Sequence, residues 1–169
     1  SRLATAFTKY WTNKRAPGFV YEALECLGGA GYVEESMMPR LYREAPLNSI
    51  WEGSGNVMAL DVLRAASRHP DAATDTLSRL VRSAAQAFNV GPLAQLLERT
   101  LKSGEAERRA RFLCEGLAKI AAVSALAEAG SPFAAIYADS RLGSTRFAQY
   151  GAADLGEAET SLVDRALAA

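Results

Sequence analysis

The sequence predicts an all-α protein, most simply an antiparallel helical bundle. Three observations carry that prediction. Apolar residues recur at helical spacing in one segment after another. No segment of the 169 residues reads convincingly as a strand. Gly or Pro stands where most periodic segments end. No internal repeat or low-complexity tract interrupts the pattern.

Ser1–Lys14 reads as the end of a helix, with Leu3, Phe7, Tyr10 and Trp11 on one face. Pro17 then restarts the chain, as Pro does at a first helical position. Phe19, Val20, Ala23, Leu24 and Leu27 form the buried stripe of the next helix, and Gly28 is a natural residue to close it. Val33–Pro46 holds a short helix over Pro39–Glu44. Its Arg40 and Arg43 either pair with Glu34, Glu35 or Glu44, or hold a phosphate or a partner chain. Val57–Arg68 is a helix with Val57, Leu60 and Leu63 inward and with Asp61, Arg64 and Arg68 on the other side.

Leu77, Leu80, Val81, Ala84, Ala85 and Phe88 make the next stripe, and Gly91-Pro92 breaks it. Leu93–Lys102 is shorter and ends at Ser103-Gly104. Glu105–Ala129 is expected to be the longest helix, with Leu113, Leu117, Ile120 and Ala127 inward. Pro132–Leu142 follows, then a loop over Gly143–Gly151 and a final Ala-rich helix over Asp154–Leu167.

Composition narrows the function classes. Apolar content is 49% and charged content 22%, as in an ordinary globular protein. Lys+Arg and Asp+Glu both number 19, and a net charge of zero predicts neither nucleic-acid nor membrane binding. Two cysteines, Cys26 and Cys114, suggest no disulfide framework, so a reduced cytoplasmic setting is expected. No apolar run approaches the roughly 20 residues of a membrane span, and no secretory signal is visible. His69 is the only histidine. A His-based triad or His-rich metal site therefore has no material, and no metal is expected. The start at Ser1, with all three Met internal, reads as a fragment or processed product.

Charge is uneven along the chain. Residues 61–111 carry nine basic against six acidic side chains, and residues 112–169 carry four against seven. The basic stretch is either a phosphate-tracking surface or a solvated helix face. Asp75–Arg79, Glu98–Lys102, Glu105–Arg109 and Glu107–Arg111 have the favourable i, i+4 order, which leaves residues such as Arg64, Arg82 and Arg108 less committed.

Two short stretches concentrate the chemistry. Gly28-Gly29-Ala30-Gly31-Tyr32 closes a helix, so it is not a dinucleotide fingerprint, which opens one after a strand. It is either a helix stop with a tight turn or a place where backbone meets a bulky ligand. Asn48–Leu60 reads NSIWEGSGNVMAL. Glu52 sits between Trp51 and a Gly53-Ser54-Gly55 turn at a helix entrance, where unpaired N–H groups can face an anion. Ser54 or Asn56 is placed to cap that helix. Local chemistry leaves two readings of Glu52: a solvated carboxylate in a turn, or a base whose pKa the neighbouring ring raises.

The run from Glu22 to Arg64 contains GGAGY, PRLYRE and NSIWEGSGN in that order. It resembles the C-terminal helical domain of the acyl-CoA dehydrogenase superfamily, more closely its AidB-like alkylation-response branch. The resemblance is dense over this run and loose through the helical tail. It implies a C-terminal-type four-helix bundle over residues 1–70 and a helical extension over 71–169. It implies FAD as cofactor and Glu52 as the base that takes the α-proton of an acyl-CoA-like substrate. Hydride then passes to the flavin. Ile50, Trp51, Gly53, Ser54, Gly55 and Asn56 would contact the cofactor, and Gly28, Gly29 and Gly31 would meet the FAD of a neighbouring subunit. A homotetramer, built as a dimer of dimers, follows for the intact protein.

Many dehydrogenases have Gln at the position of Glu25 and a Tyr-Glu-Gly-Thr run where this chain has Trp51-Glu52-Gly53-Ser54. Both differences agree with the AidB-like branch. That branch also implies double-stranded DNA binding on the extension, with Arg64, Arg82 and Arg108 as candidate phosphate contacts. The alternative class is a DNA-binding or oligomerisation module with a structural flavin site. For the isolated chain, neither turnover nor firm FAD retention is expected.

Overall fold

The computed structural model describes residues 2–51, 53–144 and 149–168. All the regular structure among them is helical, as the periodicity predicts. Arg2–Cys26 form α1, Gly29–Tyr32 α2 and Met38–Glu44 α3. A 3-10 turn over Ala45–Ser49 leads toward α4, Gly55–Arg68. Then come α5 (Pro70–Ala84), α6 (Gly91–Leu101), α7 (Ala110–Glu128), α8 (Ala134–Leu142) and α9 (Ala158–Leu167).

The expected break at Pro17 is absent: α1 runs for 25 residues with Pro17 inside it. An interior Pro removes one backbone hydrogen bond and costs about 3 kcal/mol. Packing along the helix opposes that cost, because α1 lies against α2, α3, the 3-10 turn and α4. Local propensity therefore loses to tertiary contact. The length expected of Glu105–Ala129 thus belongs to α1, and α7 begins only at Ala110. The Ser103 hydroxyl accepts from the Glu105 N–H at 3.2 Å, and residues 104–109 form turns.

That difference also rewrites the ion pairs. Glu105 pairs with Arg108 at 2.6 Å rather than with Arg109, because the i, i+4 geometry needs a helix there. Arg109 lies over the Phe112 ring at 4.7 Å instead. Glu98–Lys102 forms as expected, at 2.6 Å.

The described residues group into two compact units. The first comprises Ser1–Arg79 and Pro92–Ala118. Its interior includes Leu3, Ala6, Phe7 and Tyr10 of α1, Ala59, Val62 and Ala66 of α4, Leu97 of α6, and Leu113 and Cys114 of α7. The expected inward set on α4 is corrected at Val57, which is 48% exposed; Leu60 and Leu63 are half-buried, and Ala59, Val62, Ala65 and Ala66 are buried. Small residues on α4 accommodate the large rings that α1 brings to the contact. Gly116 serves the same end on α7, since a methyl there would enter the Leu97 side chain of α6.

The second unit comprises Leu80–Gly91 and Lys119–Ala169. Leu80, Ala84, Val90, Ile120, Val123, Ala134 and Ala138 are buried in it. Glu128 accepts from Ser83 at 2.6 Å and from the buried Ser124 at 3.3 Å. Among the described residues of α9 none is fully buried; Arg165 covers the Phe133 ring at 5.3 Å.

Candidate functional site

Both chemistry-bearing stretches lie in the first unit. The turn before α4 is held by backbone bonds and by α1. The Ile50 and Trp51 N–H groups both donate to the Leu47 carbonyl, at 2.9 and 2.8 Å. Lys9 donates its ammonium to the Trp51 carbonyl at 2.7 Å, and Asn13 donates to the Asn48 carbonyl at 2.6 Å. These two residues, one helical turn apart on α1, pin the turn. Ile50 and Trp51 stay 66% exposed, so the pinning acts on backbone and leaves both apolar side chains outward.

Glu52 lies outside the described residues, and its neighbours define the surroundings. Gly53 has φ +121°, a conformation that glycine tolerates and side chains rarely do. Ser54 occupies the N-cap position of α4, but its hydroxyl makes no capping bond. The Asn56 side chain does not cap either. Its Oδ1 accepts from Arg111 Nε at 2.8 Å, which ties the start of α4 to α7. Among the described residues, no side chain accepts from the first-turn N–H groups of α4. Gly55 is buried where an added methyl would enter the end of Lys14.

The glycine turn divides by function. Gly28 closes α1 with φ +56°, and its N–H donates to the Glu25 carbonyl at 2.9 Å. Gly31 is required by the chain itself, because a methyl there would collide with the Leu24 carbonyl oxygen. Gly29 has no such explanation: a methyl would meet nothing within 4 Å. A cavity of about 490 Å³ lies beside the turn, walled by Leu24, Tyr32, Val33 and Tyr42 and by the Glu34–Arg43 pair. Arg43 reaches Glu34 with two hydrogen bonds, 2.6 and 3.1 Å, and holds that carboxyl below its usual range. Of the two options for Arg43, the pair is the one formed.

Exposed apolar surface is concentrated here. Among the described residues, twelve of the fifteen large exposed apolar residues fall between Phe19 and Val57. Exposed apolar residues in this number mark surfaces that something else covers. Phe19 and Leu27, both expected in a buried stripe, are among them, so the expectation is corrected at those two positions.

Lys9, Asn13 and Arg111 escape a reading by local pattern. Their partners lie 42, 35 and 55 residues away in sequence. Among the described residues, no hydrogen bond or ion pair draws the candidate basic residues into this site. Arg64 is exposed on α4, Arg82 is exposed on α5, and Arg108 is held by Glu105. Among the described residues no cluster of three or more His, Cys, Asp or Glu could hold a metal. No helix among them is long and apolar enough to cross a membrane.

Residues 1–67 match the family model "Acyl-CoA dehydrogenase, C-terminal domain". Over 68 residues the chain is 60% identical to the putative acyl-CoA dehydrogenase AidB of Escherichia coli (strain K12), covering 40% of this chain and 13% of that protein. Over 66 residues it is 47% identical to acyl-CoA dehydrogenase family member 11 of Caenorhabditis elegans, covering 39% and 11%. The chain thus spans only about an eighth of these relatives' length. A solved structure, "Bd2924 apo-form", superposes with a TM-score of 0.61 at 36% identity, covering 76% of this chain and 24% of that one. That coverage exceeds what residues 1–67 alone could supply, so the likeness of fold continues into the helices that follow.

Proposed function

We propose that this chain, whose residues 1–67 match the acyl-CoA dehydrogenase C-terminal domain, is an AidB-like member of that superfamily and forms one wall of a flavin site in an acyl-CoA dehydrogenase-like protein. Residues 1–70 are the dehydrogenase-type part in this reading, and residues 71–169 are an extension. The observation that carries it is the coincidence of the Gly28–Tyr32 and Ile50–Asn56 turns with the exposed apolar surface between Phe19 and Val57.

The residues fit FAD. Gly29 leaves open space that its own chain does not use, and Gly53 and Ser54 keep the entrance of α4 free of a capping side chain. Gly28, Gly29, Ile50, Trp51, Gly53, Ser54, Gly55 and Asn56 would hold the cofactor by backbone and apolar contact. Gly31 acts indirectly, by letting the turn close on Leu24. Bound FAD supplies a hydride acceptor. The chain supplies the base: Glu52 takes the α-proton of an acyl thioester, which is weakly acidic and needs a positioned, partly desolvated carboxylate. Lys9 and Asn13 hold the backbone on either side of Ile50 and so aim the turn that carries Glu52. The same surface would meet other subunits in a homotetramer.

Glu52→Gln in the intact protein tests the assignment. α-Proton exchange of a bound acyl-CoA, followed by NMR, is expected to fall about 10²- to 10⁴-fold with flavin content unchanged. Undiminished exchange would place the base elsewhere. DNA contact is the second reading, favoured by the exposure of Arg64 and Arg82 and weakened by the zero net charge. A salt series with duplex DNA on the intact protein decides it: binding should weaken steeply with salt, and absence of binding at low salt removes the reading.

A further inference from the structure

A second cavity in the first unit shares no residue with the proposed flavin wall. It measures about 490 Å³ and is lined by residues of α1, α4, α5, α6 and α7. Its apolar wall includes Leu63, Leu77, Leu101 and Leu117. Leu63, Leu77 and Leu101 are only half-buried, so apolar surface lies open to the hollow rather than packed. Three hydroxyl groups line it too: Ser67 on α4, and Thr74 and Ser78 on α5. No hydrogen bond within the described chain involves any of the three side chains. Thr76, which does not line the hollow, shows the contrast: its hydroxyl donates to the Ala72 carbonyl at 2.7 Å. The only charged lining groups are Glu98 and Lys102, and they neutralise each other at 2.6 Å.

We propose that this hollow binds an uncharged, medium-chain amphiphile: an alkyl chain of roughly ten heavy atoms ending in one hydrogen-bonding head. Small-molecule sites have this character, mostly apolar with a few convergent polar groups and a volume of about 300–1,000 Å³. At about 30 Å³ per water-sized group, the hollow has room for such a chain without filling completely. The alkyl part covers the half-buried leucines. The head exchanges hydrogen bonds with Ser67, Thr74 or Ser78, each of which can donate and accept. A charged head is disfavoured because the wall offers no net charge: a carboxylate attracted by Lys102 is repelled by Glu98.

The test is calorimetric titration of the protein with 1-octanol and with octanoate, at pH 7 and again at pH 5. At pH 7 octanol is expected to bind at least 10-fold more tightly than octanoate, and octanoate is expected to gain affinity at pH 5 as its own carboxyl begins to protonate. Leu77→Trp, which fills the hollow, should abolish octanol binding. Because a large substitution can misfold, Ser67→Ala with Ser78→Ala is the second variant. It should lower octanol affinity at least 5-fold with an unchanged circular dichroism spectrum. Failure of octanol to bind, tighter binding of octanoate at pH 7, or octanol binding indifferent to the paired serine substitution would each overturn the proposal.

Discussion

The two halves of α1 are one helix with two fates. Between Arg2 and Tyr10, four residues are buried, and Phe7 is 1% exposed. Beyond Pro17 no residue of the helix is fully buried, and Phe19 is 65% exposed. The backbone is equally helical in both, so helix formation does not depend on each half having its own interior. The first half is structural. The second carries apolar side chains, such as Phe19 and Leu27, that stay exposed in this chain, and it leads directly into Gly28 and Gly29. In the reading proposed above, those side chains are meant for a surface that other parts of the assembly supply.

Paired truncations break or sharpen that comparison most strongly. Phe7→Ala removes a fully enclosed ring and should cost about 3–5 kcal/mol in urea unfolding. Phe19→Ala should stay within about 0.5 kcal/mol, as an exposed site does. Equal costs would mean that the second half has an interior of its own. The cysteines offer a smaller contrast along the same line. Cys26 ends the exposed half, whereas Cys114 is fully buried on α7 and belongs to the surroundings of Tyr10. Burial pushes the Cys114 thiol up to about 12. A thiol reagent at pH 8 should therefore modify Cys26 and spare Cys114.

The pH dependence follows with a definite sign. The folded state binds the Cys114 proton more tightly than the unfolded state, whose thiol has the ordinary value of 9.0. The stabilisation is complete below pH 9 and is lost as pH rises toward about 12. Cys114→Ala should flatten that alkaline decline in a series of thermal melts; an unchanged decline would assign it to other groups.

Much of this was legible in the sequence, and the misses have physical causes. Leu3, Phe7 and Tyr10 announce a buried face because their spacing matches the helix period. Pro17 misleads because a local rule about hydrogen bonds is outweighed by contacts to α2, α3 and α4. The charge pairs at Glu105 and Glu107 are misjudged because i, i+4 logic presumes a helix that starts only at Ala110. The glycine and Trp-Glu-Gly-Ser turns are legible as motifs. Their support by Lys9, Asn13 and Arg111 is not, since no periodicity links groups 35 to 55 residues apart. Glu52 remains an assignment by family resemblance.

The most direct measurement is flavin content in the intact protein carrying Gly29→Leu. Within its own chain the new side chain starts in open space, since a methyl at Gly29 meets nothing within 4 Å, so the fold should hold and the melting temperature stay close to wild type. If Gly29 is open because the cofactor approaches there, the ratio of flavin to protein absorbance should fall several-fold. A full complement of flavin in a folded Gly29→Leu protein would contradict the account and return the glycine turn to a simple helix stop.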